Sequence, residues 1–555
     1  MIIPRRAHHR FTLAALALAA LAYAAALTDA RPAGANGWEH GAIPFARLVE
    51  ALQTGSAATR LRAAQSLGYR GQAEAAAPLL DALARPEREA EVRAAIYRAL
   101  GAIGAVEAWP ALNRCLEAEA LTPVRAACAG ALGGLRGTPR AADAGARLIG
   151  LIAPDEEPLV RRRAVAALGA VADAAAVATL ARLAGAAAPV SDSRPAVAAA
   201  LAADPTLAAR AVDALGATGA RAAGQALAEL LTRAEDAATR LRLATALARI
   251  GAPEARVPLK RVLEEAEDPR LRVAATVALA AAGRAGDAAD ADGVRKRLAD
   301  LLAAPERAVQ YAAVTALRDI GDAESGAAVA RYADALANWL AATDAGAIAE
   351  APQDALERLT LLEAALRTAT DLAPAAGLEA MARSAQARPI PRNAPHRLAL
   401  ADALYKVRRA ALYGLGYTGA AERAGALLAG EVGLGAPDSR LRAVAARSIG
   451  VLGRPDAPRV LTAALRDEAA EVRWTAARTL GYLGERAALE PLIALFGDDD
   501  SRVRAAAATA LADLGAVEAI PAIQRRAETE ERPPAQAAAA DALARLKRLR
   551  AVGAE

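Results

Sequence analysis

An apolar residue followed by arginine recurs along this chain at an interval close to thirty-one residues, and that spacing limits the folds open to it. The arginines of these pairs are Arg62, Arg93, Arg125, Arg161, Arg242, Arg272, Arg408, Arg442, Arg473 and Arg504. The steps from 62 to 93, 93 to 125, 242 to 272, 442 to 473 and 473 to 504 run from 30 to 32 residues. Self-similarity at such a period is the mark of a repeat array. In "EVRWTAARTLGYLG" (471–484), Val472, Ala476, Leu480 and Leu483 fall on one face of a helix. The closing "A-L-G-x-[IVL]-G" pattern ends that helix, its last glycine supplying a left-handed cap. A second apolar helix follows, such as "AALEPLIALF" (487–496). Acidic stretches precede several of the Val-Arg helices, as in "PDEEP" before Arg161 and "GDDDS" before Arg502. Carboxylates there suit the exposed amides and the positive end of the helix dipole. One such hairpin cannot bury its apolar stripe, whereas stacked neighbours can.

Composition agrees with an all-α protein. Hydrophobic residues make up 55% of the 555, yet aromatics only 3%, so alanine carries much of the apolar count. Alanine favours helix, and the aromatic residues that favour strands are scarce.

These residues resemble HEAT repeats, in the short variety also found in phycobilisome-lyase-type proteins. The resemblance covers most of residues 45–550, about a dozen two-helix units. It implies a right-handed superhelical α-solenoid whose surface commonly binds proteins, and it implies no single reaction. It also implies that each arginine joins a ladder with the acidic residue before its own helix. Arg504 would then pair with Asp498–Asp500, and Arg473 with Asp467 or Glu471. The organisation expected is a segment 1–30, a linker 31–44, a first array 45–324, an irregular helical insert with a Pro-rich loop 325–400, and a second array with a capping helix 401–550. Helices are expected at 330–342 and 353–370 inside the insert, with an exposed loop at 386–397.

Residues 1–30 hold Arg5, Arg6 and Arg10, then an uncharged apolar run from Phe11 to Leu27, then small residues offering cleavage after Ala26 or Ala30. That three-part layout is an export signal, either cleaved or kept as an anchor over residues 11–27. The arginines before the run place the remainder outside the cytoplasm, in the periplasm or cell envelope. In that setting Cys115 and Cys128 either pair or sit as two buried thiols at helix contacts. Of the +5 carried by the whole chain, residues 1–30 hold +2, and the remaining +3 or so is no concentration of basic residues on one face, which argues against a nucleic-acid partner.

No catalytic constellation stands out, and neither a metal nor a cofactor is expected. His40 and His396 are the histidines beyond the first thirty residues, too few with the cysteines for a zinc site. The His-Glu motifs with which a HEAT-type relative, deoxyhypusine hydroxylase, holds iron are absent. A lyase acting on a cytoplasmic pigment carrier conflicts with export. "GDAADADG" (286–293) has acids at 287, 290 and 292, but it lacks the first ligand and the bidentate acid of a calcium loop and reads as a solvated turn.

Surface recognition remains. The residue after the Val-Arg pair points about 200° away from the buried valine. It is mostly alanine, but tyrosine at 311 and tryptophan at 474. After "LG", tyrosine stands at 69, 417 and 482. Tyr69, Tyr311, Tyr417, Trp474 and Tyr482 are therefore the candidate protein-binding residues, with Trp474 and Tyr482 bordering one patch; packing over the neighbouring unit is the other reading of these rings. The function expected is an exported, non-enzymatic scaffold for protein or peptide partners. The alternative is an enzyme or lyase-like accessory subunit with a site in the 311–407 interruption, near Trp339 and His396.

Overall fold

The structure, a computed structural model, describes residues 43–85, 89–185, 194–343, 348, 351–390 and 396–552. The export segment, nearly all of the linker, His40 and prolines 391 and 395 of the expected loop lie outside the described residues. The chain divides into two compact units, Met1–Arg295 and Lys296–Glu555.

In the first unit the repeat helices form a row: α1 (Ala57–Arg70), α2 (Ala90–Ile103), α3 (Thr122–Leu132), α4 (Pro158–Val171), α5 (Thr206–Thr218), α6 (Ala237–Ile250) and α7 (Pro269–Ala285). Each packs against the next. Shorter helices such as Ala76–Ala84 and Trp109–Ala118 lie against the row and form a second layer. The second unit repeats the plan with α8 (Arg307–Ile320), α9 (Pro352–Leu372), α10 (Arg397–Leu415), α11 (Ser439–Leu452), α12 (Ala470–Leu483), α13 (Ser501–Asp513) and α14 (Pro533–Val552). Each unit is therefore an all-α solenoid of stacked helix pairs. Residues 325–400 are built of the same material, since α9 packs between α8 and α10, and helix Ala323–Ala342 lies on α9. The difference is length: α9 has 21 residues and α10 has 19, against 14 in α11 and α12. Among the described residues, no helix is long and apolar enough to cross a membrane.

The valines of the repeat carry the core. Val92, Val124, Val160, Val472 and Val503 are all buried, together with Leu100, Leu132, Leu168, Leu480 and Leu511 on the same helices. Each such side chain contributes roughly 1.5–3 kcal/mol. Carboxylates cap the row as expected: Asp268, Asp438 and Asp500 accept from the amides of Arg270, Arg440 and Arg502 at 2.9, 3.0 and 2.8 Å.

The two glycines of "A-L-G-x-[IVL]-G" do different work. The last, as at Gly104 and Gly484, adopts a positive φ of 72° and 68° and closes the helix. At the same point of α4 the cap is Ala172, at φ 56°, a conformation that disfavours a Cβ. The first glycine sets how closely the row packs. A Cβ on Gly481 would lie 2.6 Å from the Ala510 Cα on α13, and one on Gly101 would lie 2.5 Å from the Ala131 Cα on α3. The sequence pattern shows this glycine plainly, but its purpose appears only when the next helix is in place.

Two expectations are settled here. Cys115 and Cys128 are bonded to each other, joining helix Trp109–Ala118 to α3. The acids of 286–293 are not a solvated turn: a helix runs over Ala288–Asp300, Asp287 accepts from the Asp290 amide at 2.9 Å, and Arg256 pairs with Asp290. Acids at a helix start satisfy amides that a turn would leave to water, and that is the form this run takes.

Gly481→Ala should destabilise the second unit by about 1–3 kcal/mol in urea unfolding, because the clash is with backbone. Gly497→Ala, where a Cβ meets open space, should change it by under about 1 kcal/mol.

Candidate functional site

The arginine ladder is present, but it runs forward to the next repeat. Arg473 donates from Nη1 to the backbone carbonyls of Asp467 and Glu468, at 2.9 and 3.0 Å. Its Nε and Nη2 fork onto the Asp498 carboxylate at 2.6 and 2.8 Å, in the turn before α13. Arg442 does the same with the Ala436 carbonyl at 3.0 Å and the Asp467 carboxylate at 2.9 and 2.8 Å. Arg504 takes the Asp498 and Asp499 carbonyls at 2.7 and 3.0 Å and the Glu530 carboxylate at 2.7 Å from both nitrogens. The carboxylate in each arginine's own turn was the expected partner, and it is already engaged elsewhere. Asp467 and Asp498 accept from the amides of Ala469 and Asp500, at 2.8 and 2.9 Å, and from the preceding arginine. The five donors of guanidinium allow one side chain to tie two successive turns.

The first unit carries the same device with less regular partners. Arg93 forks onto Glu119 at 3.1 Å, and Arg125 reaches Glu156 at 2.6 Å. Arg161 is buried on the Pro154 carbonyl, 2.6 Å away. The repeat register also corrects two positions. Arg240, not Arg242, holds the fourth place of α6 and takes the Ala234 carbonyl at 2.7 Å, while Arg242 reaches back to Asp213 at 2.6 Å. Likewise Arg60, not Arg62, takes the Gly55 carbonyl at 2.7 Å from α1. In "TRLR" only the second arginine follows an apolar residue, whereas the exposed Thr59 and Thr239 stand where other repeats carry valine, so the apolar–arginine pair selects the wrong arginine. Arg272 keeps the fourth place of α7, and Arg408, half-buried on α10, donates to the Ala385 carbonyl at 3.3 Å. On α8 glutamine replaces arginine: Gln310 donates to the Ala304 carbonyl at 2.7 Å and accepts from the Tyr332 hydroxyl at 2.9 Å. Burial pushes the Tyr332 phenol up to about 12.

That glutamine borders a cavity of about 370 Å³, with Arg307, Tyr332 and Arg358 also in its wall. Its charged groups are already paired, Arg307 with Glu357 at 3.2 Å and Arg358 with Asp354 at 2.9 Å. Arg358 also lies 4.9 Å from the centre of the Trp339 ring. His396 is exposed at the N-terminal end of α10 and does not line the cavity.

The candidate aromatic residues separate into several places. Tyr69 is exposed on α1 of the first unit. Tyr311 is half-buried on α8, where burial raises its phenol, with Glu363 adding to the effect. Trp474 is half-buried near the start of α12, and Tyr482, two turns on and about 12 Å further along the helix, is 83% exposed. Tyr417 sits just past the end of α10, in the same register as Tyr482, nine residues after the ladder arginine. The Tyr413 and Tyr417 hydroxyls are 2.8 Å apart with ring centres at 5.0 Å, and the Tyr413 hydroxyl is the main reason the Tyr417 phenol is raised. Arg447 of α11 lies 5.9 Å from the centre of the Tyr413 ring. Tyr413, Arg447 and Arg478 were missed because none follows a Val-Arg or "LG" pair. They share one register position, five residues after the ladder arginine, which an aligned set of repeats makes visible.

Glu530 is the most enclosed carboxylate of the ladder, 2% exposed against Arg504. The Arg504 fork holds it down to about 2, against roughly 4.3 in an unfolded chain. Its stabilising contribution is therefore complete above pH ~4.3 and is lost as the pH falls through about 2. Glu530→Gln should cost about 3–5 kcal/mol at neutral pH and flatten the acid limb of the stability–pH curve between pH ~4.5 and ~2. Denaturant unfolding across that range reads both effects.

The family described as HEAT repeats matches residues 45–133, 194–280 and 458–544. No curated protein matches the chain. Among solved structures, a chain in the structure of Kap95p with RanGDP is similar with a TM-score of 0.47 and 12% identity, over 87% of this chain and 70% of that one. Yeast importin-beta (Kap95p) gives 0.39 and 13%, over 97% and 87%. Kap121p bound to Nup53p gives 0.41 and 14%, over 98% and 68%. None of these likenesses bears on what this chain binds. The chain thus carries HEAT repeats over the three matched regions, and the stacked helix pairs, most with arginine in the fourth place of the row helix, continue the same plan through the described residues of each unit.

Proposed function

We propose that this protein is an exported, non-catalytic scaffold that binds protein or peptide partners through the solvent face of its row helices. The observation that carries the reading is the set of exposed tyrosines on the row helices of the second unit, the Tyr413–Tyr417 pair at the end of α10 and Tyr482 on α12. These rings stand open to solvent on a unit whose core is otherwise built of small aliphatic side chains. Tyrosine beside arginine is the composition of interface anchors. Trp474, on the same helix as Tyr482, extends the surface toward the start of α12. Two features support export: the basic–apolar–small layout of residues 1–30, and the Cys115–Cys128 bond, a linkage that persists in oxidising compartments.

A photo-crosslinking side chain in place of the exposed Val451, the α11 position in the same register as Tyr417 and Tyr482, tests the reading in the native host. The expected result is a discrete crosslinked protein species in the envelope fraction, lost when Trp474→Ala and Tyr482→Ala are combined. Crosslinks unchanged by that double substitution would reject this face as the binding surface. A reporter active only outside the cytoplasm, fused to the C-terminus, should be active; an inactive fusion would reject export.

A further inference from the structure

Four neighbouring row helices, α10 to α13, present one register position after another to solvent, and on them charge is distributed unevenly. Five residues after the ladder arginine stand Tyr413, Arg447 and Arg478; nine residues after it stand Tyr417 and, two helices on, Tyr482. Arg409 lies on the same face of α10, one residue after its ladder arginine, 6.0 Å from the centre of the Tyr405 ring. Among the described residues, Arg409, Arg447 and Arg478 have no carboxylate partner. Their neighbours on this face are different. Arg440 is held by Asp438 at 2.7 Å and Arg502 by Asp500 at 2.7 Å. Of the nearby acids, Asp513 pairs with Arg545 at 2.7 Å, and Glu471 accepts from the Ser439 hydroxyl with its charge acting on Arg440 and Arg502. In the first unit this position is Gly130, Ala166 and Thr245 on α3, α4 and α6, and the exposed Arg98 on α2. What sets the second unit apart is that Arg447 and Arg478 stand at this position on adjacent helices, with Arg447 beside the Tyr413 ring.

We infer that the solvent face of α10–α12 binds an extended acidic peptide segment, its carboxylates on Arg409, Arg447 and Arg478 and its apolar surface against Tyr413, Tyr417 and Tyr482. The inference rests on the protein-binding reading above and names the chemistry of the partner. Three guanidiniums without carboxylates leave a positive stripe that a row of carboxylates completes. The tyrosines supply flat, largely apolar contact area at low conformational cost. The platform is fixed in spacing, because the helices approach through glycine: a Cβ on Gly416 would lie 3.0 Å from the Ser448 carbonyl oxygen. Packed helices are ~8–10 Å apart, and an extended polyproline-type chain advances ~9.3 Å in three residues, so a carboxylate at every third position meets one helix after another. A polyphosphate chain is the less suitable occupant. Its binding depends on many released counterions, and the paired Arg440 and Arg502 leave too few open cations.

The test uses the full chain and three labelled probes of fifteen units: a Pro/Ala peptide with Glu at every third position, the same peptide with Gln, and oligothymidylate. Fluorescence anisotropy should show the Glu peptide binding at least ~10-fold tighter than the Gln peptide, with affinity falling as salt rises. Arg447→Ala with Arg478→Ala should bring the Glu peptide to the Gln level. Both side chains are exposed, so the melting temperature should hold and serves as the folding check. Tyr482→Ala should weaken both peptides. Equal binding of the two peptides, both weakened by Tyr482→Ala, would overturn the acidic assignment and leave the protein-binding reading standing. Tighter binding of oligothymidylate than of the Glu peptide, lost in the arginine double variant, would overturn it in favour of a nucleic-acid face. Binding of none of the three would overturn it outright, whereas the broader reading fails separately, on the crosslinking result.

Discussion

A guanidinium that reaches two turns at once holds each of these solenoids in register. Every loop between helix pairs leaves backbone carbonyls that no helix satisfies, and leaving such groups buried and unpaired costs about 1–3 kcal/mol each. In the second unit Arg442, Arg473 and Arg504 take those carbonyls with one nitrogen and grip the following turn's carboxylate with the other two. The carboxylate in turn accepts an amide of its own turn, as Asp498 does from Asp500. Turn, arginine and next turn form one chain of charge-assisted bonds, and the helix rows are spaced to suit it. The close glycine contacts, Gly481 against Ala510 for example, set the same spacing from the other end of the helix.

Much of this was legible in the sequence. The period near thirty-one, the Val-Arg helices, the capping acids and the glycine caps follow from local chemistry, and local chemistry is what a single sequence displays. The parts that were not legible depend on the neighbouring repeat. Arg473 has acids both before and after it in sequence, and only packing reveals that Asp498, 25 residues ahead, is the one in reach. The shift from Arg242 to Arg240 has the same origin, because "TRLR" offers two arginines and the turn behind α6 selects one. The first glycine of "LG" likewise looks like helix punctuation until Ala510 stands against it.

The candidate surface follows the same division. Tyr417 and Tyr482 stood out as departures from the repeat and are exposed at the same register position of α10 and α12. Trp474, marked by the same reasoning, sits two turns away and half-buried. Tyr413, Arg447 and Arg478 became visible only when the four row helices were laid side by side. A repeat protein separates its obligations in this way. The arginines at the fourth place of the row helices serve the scaffold, and Arg447 and Arg478, five residues further on, stand on the solvent side without a carboxylate among the described residues.

The most direct test of the ladder's direction is a double-mutant cycle on Arg473→Ala and Asp498→Asn, compared with a second cycle on Arg473→Ala and Asp467→Asn. Asparagine keeps the acceptor for the turn's own amide, so each cycle isolates the arginine contact. Forward linkage predicts a coupling of about 2 kcal/mol or more for Arg473 with Asp498, and within about 0.5 kcal/mol of zero for Arg473 with Asp467. Equal couplings, or a larger one with Asp467, would contradict it.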